Sequence, residues 1–368
     1  MKLFIQPDDG VVPIVEAINK AKSRVEIVIF RFDRVEIEKA LASAVSRGVF
    51  VHALIAYTNR GGEKELRKLE MRLLAAGVTV ARTADDLARY HSKYLIVDRR
   101  ELYVLAFNFT RLDMDHSRSF GAVTRNAKLV QEAARLFEAD ATRQSYTASV
   151  PALVVSPVNA RKQLAALIRA AKKELLIYDP EVSDPSMIRL LEERANAGVA
   201  IRVIGRITRK SPKLQQHKLA KLRLHTRSII RDGRQAFIGS QSLREVELGS
   251  RREVGITFRD AKIVARLVKT FQDDWEAAER TAQQAGSQES APATKAAKKV
   301  AKAITRDLPP IAPMLEVVVK QLVGARADVD LDAEQVEDSV KDAVKEAVKD
   351  IVLDAVEDVV MQDGLARK

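Results

Sequence analysis

Cysteine is absent from the chain. Disulfides and thiolate-held metals are thereby excluded, and the absence suits a reducing compartment. Long apolar runs are missing too. Met1-Lys2-Leu3-Phe4-Ile5-Gln6-Pro7 meets Asp8 and Asp9 before it reaches signal-peptide length, and no later run approaches the roughly 20 residues needed to span a bilayer. The expectation is a soluble, cytoplasmic protein whose contact with a membrane, if any, is peripheral. Aromatic residues make up 5% of the 368 positions, with a single Trp. None falls in the most basic stretch, 206–234, so a base-stacking platform for single-stranded nucleic acid is not evident there. No His, Asp and Glu cluster has convincing metal-ligand spacing, and neither metal nor other cofactor is expected.

What is present is an ordinary core composition and an uneven charge. The net charge is +12, yet between positions 326 and 368 thirteen acidic residues stand against six basic ones, a net of −7, which leaves +19 on positions 1–325. Stretch 206–234 alone holds ten Lys or Arg and one acid, Asp232. Such a surface suits a polyanionic substrate or an anionic surface as much as it suits plain solvation.

An internal duplication organises positions 1–282. Leu3-Phe4-Ile5-Gln6-Pro7 aligns with Leu153-Val154-Val155-Ser156-Pro157, and Gly48-Val49 with Gly198-Val199, at an offset of 150. Each half opens with a short strand, an amphipathic helix (12–22; 158–172), an apolar strand (25–32; 174–178) and a second helix (35–47; 185–197) that ends at a glycine suited to a left-handed cap. The alternation predicts an α/β fold with a largely parallel, helix-covered sheet in each half. The offset then drops to 134, so the first half carries an insertion of the difference, around Gly61 to Gly77, read as an added helix at 63–70. Helices at 127–139 and 261–280 close the halves, with Trp275 expected in the core. The predicted organisation is repeat 1 at 1–146, repeat 2 at 147–282, a low-complexity basic linker at 283–309, and an acidic, helical tail at 310–368. The apolar stripe of that tail suits self-association or docking on the basic body.

One sparse pattern occurs in both halves. His91, Lys93 and Asp98 recur as His225, Arg227 and Asp232, and a short polar residue, Asn108 or Ser242, follows each Asp by ten positions. Alternation along a strand would turn His91 and Lys93 to one face, as it would His225 and Arg227. A pair of facing histidines can attack a phosphodiester, protonate the leaving oxygen and activate the acceptor, while Lys93 and Arg227 stabilise the non-bridging oxygens and Asn108 and Ser242 donate further hydrogen bonds. His52 and His217 match no motif and read as ordinary strand and surface residues.

The doubled His-x-Lys-x4-Asp spacing, with Gly239-Ser240-Gln241-Ser242 after the second copy, resembles the phospholipase D superfamily. The resemblance covers about positions 1–282 and implies two α/β/α repeats related by a pseudo-twofold axis, a pseudodimer with one active site between them, followed here by the helical tail. It implies that His91 and His225 are the nucleophile and acid/base pair, that Lys93 binds phosphate and that Asn108 assists it; Ser240 reads as a turn residue or a further phosphate contact. It also implies hydrolysis or transfer at a phosphodiester, with phospholipid favoured and nucleic acid the alternative; a weakened, anion-binding member is the rival of another class. The departures are Leu105-Ala106 where the family has Gly-Ser, Ser242 for Asn, and Arg227 for Lys, a planar fork in place of a point charge. Glu253, downstream of His225, fits the carboxylate that orients a catalytic histidine; Ser119 is its counterpart in the first half, where Asp113, Asp115 or His116 could substitute. Asp98 and Asp232 read as supporting, structural anchors. Which histidine attacks stays open on the sequence, with the first-half His91 favoured by family habit.

Overall fold

The computed structural model describes residues 1–58, 63–209 and 211–289; the acidic tail, the expected linker from 290 on and the two glycines before the added helix lie outside the described residues, while 283–289, expected as linker, continue the closing helix. Residues 1–278 form one compact unit, and the described part of the second unit, which begins at 279, is helix alone.

In the first repeat the order is β1 (Lys2–Gln6), α1 (Val12–Asn19), β2 (Arg24–Ile29), α2 (Val35–Ser46), β3 (Phe50–Ile55), α3 (Glu63–Ala75), β4 (Thr79–Arg82), β5 (Arg89–Tyr90), β6 (Tyr94–Val97), β7 (Glu101–Leu105), α4 (Arg111–Asp115), β8 (Ser117–Thr124) and α5 (Ala127–Thr142). The second runs β9 (Leu153–Val155), α6 (Ala160–Arg169), β10 (Glu174–Val182), α7 (Pro185–Asn196), β11 (Ala200–Ile207), β12 (Gln215–His217), β13 (Arg223–Leu224), β14 (Arg227–Arg231), β15 (Gln235–Gly239), α8 (Glu245–Gly249), β16 (Arg251–Arg252), β17 (Val254–Phe258) and α9 (Ala261–Glu289). The expected duplication is therefore visible element by element, and the added helix of the first repeat is α3.

The sheets are not largely parallel. In order β1-β8-β7-β6-β2-β3-β4 only β2/β3 and β3/β4 pair in parallel, and β12-β11-β10-β14-β15-β17-β9 repeats the arrangement with parallel pairs at β12/β11 and β11/β10. Helical crossovers serve the parallel pairs within the first repeat, whereas β6 and β7 are joined by a tight turn at 98–100, which only an antiparallel pair can use.

Strand alternation distributes the core. Val25, Ile27 and Ile29 face α1 and α2, while Val28 between them faces the other sheet; Leu175 and Ile177 face α6 and α7, while Leu176 and Tyr178 join Val28 in the central core. That central core also takes Phe120, Leu136, Phe137, Phe271 and Trp275, so α5 and α9 are packed where the two sheets meet. Trp275 is buried as expected, and His217 and His52 are packed edge-on against Trp275 and Phe137, respectively.

Asp98 and Asp232 have the anchoring role. Each has positive φ in the turn after its strand. Asp98 accepts hydrogen bonds from the backbone N–H of Lys22, Ser23 and Arg24 at 2.7–3.0 Å, and Asp232 from Lys172, Lys173 and Glu174. These bonds depress the pKa of both carboxyls against the raising effect of burial. Asp98→Ala is expected to lower stability by about 1–2 kcal/mol, read as a shift in urea midpoint.

Candidate active site

The two histidines sit where the strand breaks. Residues 91–93 link β5 to β6, and 225–226 link β13 to β14, so neither histidine lies within a continuous strand. The break has a cause in pairing. β5 leaves its own sheet to pair in parallel with β16 of the second repeat, and β13 pairs in parallel with β8 of the first. The His91 N–H donates to the Arg252 carbonyl at 2.8 Å and the His225 N–H to the Arg118 carbonyl at 3.1 Å. Each repeat thus carries the other's histidine on its backbone.

The rings follow the same exchange. Glu253 Oε1 and Oε2 both lie 2.9 Å from His91 Nδ1. The carboxylate expected to serve His225 therefore serves the other histidine. His225 Nδ1 instead lies 3.3 Å from Asp113 Oδ2, short of hydrogen-bond geometry, on α4 of the first repeat. Ser119, aligned with Glu253, is buried with its hydroxyl unpartnered, too short to replace a carboxylate. Of the other candidates, Asp115 turns away to Arg34, and exposed His116 contributes only its carbonyl, to the Arg223 N–H.

Lys93, fully buried, places Nζ 2.8 Å from both ring nitrogens of His91. Arg227 is clamped, its Nε donating to Ser242 Oγ at 3.1 Å and Nη1 to the His225 carbonyl at 3.0 Å. Ser242 donates its backbone N–H to Glu247 of α8, and Asn108 donates both its N–H and its side-chain amide to Asp113 of α4. Asn108 Oδ1 is buried without a partner. Ser240 accepts the Val254 N–H and also lowers the Glu253 pKa, a smaller effect than those of burial and Lys93. His91, Lys93, His225, Arg227, Asn108, Glu253, Ser240 and Ser242 are thus brought together, while Asp98, Asp232, Asp115 and His116 are not among them. Glu247 and Phe30, whose ring stands edge-on to His91 at 4.4 Å, are site residues that the sequence reading misses. The 134 offset that maps Asp113 onto Glu247 carries the signal for the first; Phe30 offers none.

Electrostatics separates the two histidines. Burial pulls both well below the ordinary imidazole range. Next in size at His91 come Lys93 and Arg227, which push it further down; at His225 it is Asp113, which pushes it back up. Burial lowers the Lys93 ammonium to about 7, with Glu253 opposing, and raises the Glu253 carboxyl, with Lys93 opposing. The basic stretch is dispersed by the fold. Arg223 and Arg227 reach the site, Arg206 and Arg209 pair with Glu181 and Glu192, and Arg231 and Arg234 flank the turn at the far end of β14.

The family model for the cardiolipin synthase, phospholipase D-like domain matches residues 14–141 and 164–275. The chain belongs to the phospholipase D-like family. Solved structures of similar fold include a polyphosphate kinase from Porphyromonas gingivalis, 19% identical with a TM-score of 0.62 over 74% of this chain and 49% of that one. The chain therefore spans about half the kinase's length. A phosphatidylserine synthase from Haemophilus influenzae is 10% identical with a TM-score of 0.55, over 74% of this chain and 85% of that one. At these identities the likeness is one of fold. No curated protein matches the chain. Among the described residues of this phospholipase D-like protein, no helix is long and apolar enough to cross a membrane, and no group of His, Asp and Glu is placed to hold a metal ion.

Proposed function

We propose that the chain is a phosphodiester hydrolase or transferase that works through a phosphohistidine on His91, with His225 as acid and base. The observation that carries this reading is the delivery of two buried histidines, one from each repeat, to a site held by Lys93 and Arg227. Glu253 accepts Nδ1–H of His91, which leaves Nε2 with the lone pair for attack, and burial, reinforced by the two neighbouring cations, favours the neutral ring. Burial lowers the His225 imidazole and Asp113 opposes that fall, the direction an acid requires.

In the first step His91 Nε2 bonds to phosphorus, the P–O bond to the leaving alcohol breaks, and His225 gives that oxygen its proton. In the second His225 takes a proton from water or an acceptor alcohol, whose oxygen displaces His91 from phosphorus. Lys93 turns its ammonium from the ring to a non-bridging oxygen, and Arg227 faces the same charge.

The test is a rapid quench with an aryl phosphodiester. An acid-labile, base-stable phosphoryl adduct should form on the wild-type chain and not on His91→Asn, and EDTA should leave the rate unchanged because every catalytic group is a side chain. Equal turnover by wild type, His91→Asn and His225→Asn would overturn the reading. A panel of phospholipid, single- and double-stranded nucleic acid and the aryl diester then assigns the substrate.

The same groups predict the pH dependence. In the free enzyme burial holds the His225 imidazolium below the ordinary imidazole range and the Lys93 proton is lost near pH 7, so kcat/KM should already decline as the pH rises toward 7 and fall further through it. A bound phosphodiester anion favours the charged ammonium and imidazolium, so the descending limb of kcat should lie at higher pH. Coincident limbs in the two profiles would exclude Lys93 as the group responsible.

A further inference from the structure

Two ion pairs, one buried and one partly buried, stand behind the histidines, and they are copies of each other. Arg252 in the second repeat donates Nε to Asp140 Oδ1 at 3.1 Å and Nη1 to the Ser156 carbonyl at 3.2 Å. Arg118 in the first donates Nε and Nη2 to the two carboxylate oxygens of Asp274 at 2.9 and 3.1 Å, and Nη1 to the Gln6 carbonyl at 3.2 Å. Arg118 and Arg252, like Asp140 and Asp274, are related by the offset of 134, and Gln6 and Ser156 by that of 150. Each arginine reaches into the other repeat and grips an aspartate on that repeat's closing helix, α5 or α9. Asp274 is held further by the Tyr178 hydroxyl at 2.7 Å.

The carbonyls of these same two arginines accept the backbone N–H of His91 and of His225. The residue after Arg252 is Glu253, whose carboxylate holds the His91 ring, and the Arg252 carbonyl also accepts the Ser92 hydroxyl at 3.2 Å. A tilt of β16 would therefore displace the backbone of His91 and its carboxylate together. On the other side the residue after Arg118 is Ser119, which makes no such bond, and Asp113 approaches His225 from α4.

We propose that Arg252 with Asp140, and Arg118 with Asp274, are positioning pairs, each setting the histidine contributed by the other repeat from its arginine. As a statement about catalysis this rests on the phosphohistidine reading; as a statement about ring placement it does not. The dependence is graded by the chain itself. The Arg252 pair governs His91 through two contacts, backbone and ring, and the Arg118 pair governs His225 through the backbone alone.

The chain has five histidines, few enough to follow individually by NMR on folded, 15N-histidine-labelled full-length protein. Arg252→Lys should move the ring-nitrogen shifts of His91 toward a mixed tautomer and leave those of His225 in place; Arg118→Lys should move His225, by less, and leave His91. With an aryl phosphodiester, kcat should fall about 10- to 100-fold in Arg252→Lys with KM within about twofold, since a misplacement near 1 Å has an effect of that size. A purely structural pair would shift both rings alike in both variants, or neither, and either result overturns the proposal. Where a lysine variant fails to fold, the isosteric Asp140→Asn and Asp274→Asn are read by the same pattern. Absence of turnover in the wild type would instead remove the phosphohistidine reading, and the NMR pattern would still decide ring placement.

Discussion

His91→Asn is expected to lower turnover of an aryl phosphodiester by about four orders of magnitude, the scale for loss of a nucleophile whose partners cannot replace it. His225→Asn should behave differently. With a p-nitrophenol leaving group, which departs without a proton, the loss in the first step is about tenfold, whereas with an alkyl leaving group it approaches a thousandfold or more. The difference follows from the surroundings of the rings: Lys93 and Arg227 press on His91, and Asp113 faces His225. A reversed pattern, with the leaving-group dependence at His91, would exchange the roles and leave the composite site intact.

Arg252→Met should be the most destabilising single change at the junction of the repeats. It removes the guanidinium from Asp140, a carboxylate only 4% exposed that burial already raises to about 6 against the opposing pull of Arg252. An uncompensated buried charge of this kind costs about 3–5 kcal/mol, measurable as the urea midpoint. The pH dependence has a defined sign. A carboxyl whose folded pKa lies above its unfolded value binds its proton more tightly in the native state, so its contribution to stability is largest below about pH 4 and declines as pH rises through the folded pKa. In Arg252→Met that pKa rises further, and the deficit relative to wild type should shrink as the pH is lowered toward 5. A deficit independent of pH would mean that lost packing, not the bared carboxylate, dominates.

The histidines, Lys93, Arg227, Asn108 and Ser242 are legible in the sequence because spacing along one strand and its neighbour is local information: the alternation of side chains turns His and Lys the same way even though the strand is interrupted between β5 and β6. Asp98 and Asp232 are legible as anchors for the same reason. What the spacing does not reveal is which acid serves which histidine. That assignment is made by β5 with β16 and β13 with β8, pairings too short to leave a periodic trace and formed between positions far apart in the chain. Glu253 accordingly reads from the sequence as the partner of the nearer histidine and is found at the farther one. The sheet direction misleads on similar grounds, since the strand-helix alternation up to Ile55 speaks for parallel pairing and the hairpins that follow reverse it.

The exchange of backbone contacts has a consequence for how the molecule can be divided. Cut within 144–152, the chain would give two pieces that each keep a histidine and its lysine or arginine, yet neither would keep the carboxylate nearest that ring or the carbonyl that receives its N–H. Under the proposed mechanism neither fragment alone should show activity. Signal would appear only on reassembly, in proportion to the paired fraction, which makes this architecture a ready-made fragment-complementation reporter with a dark background.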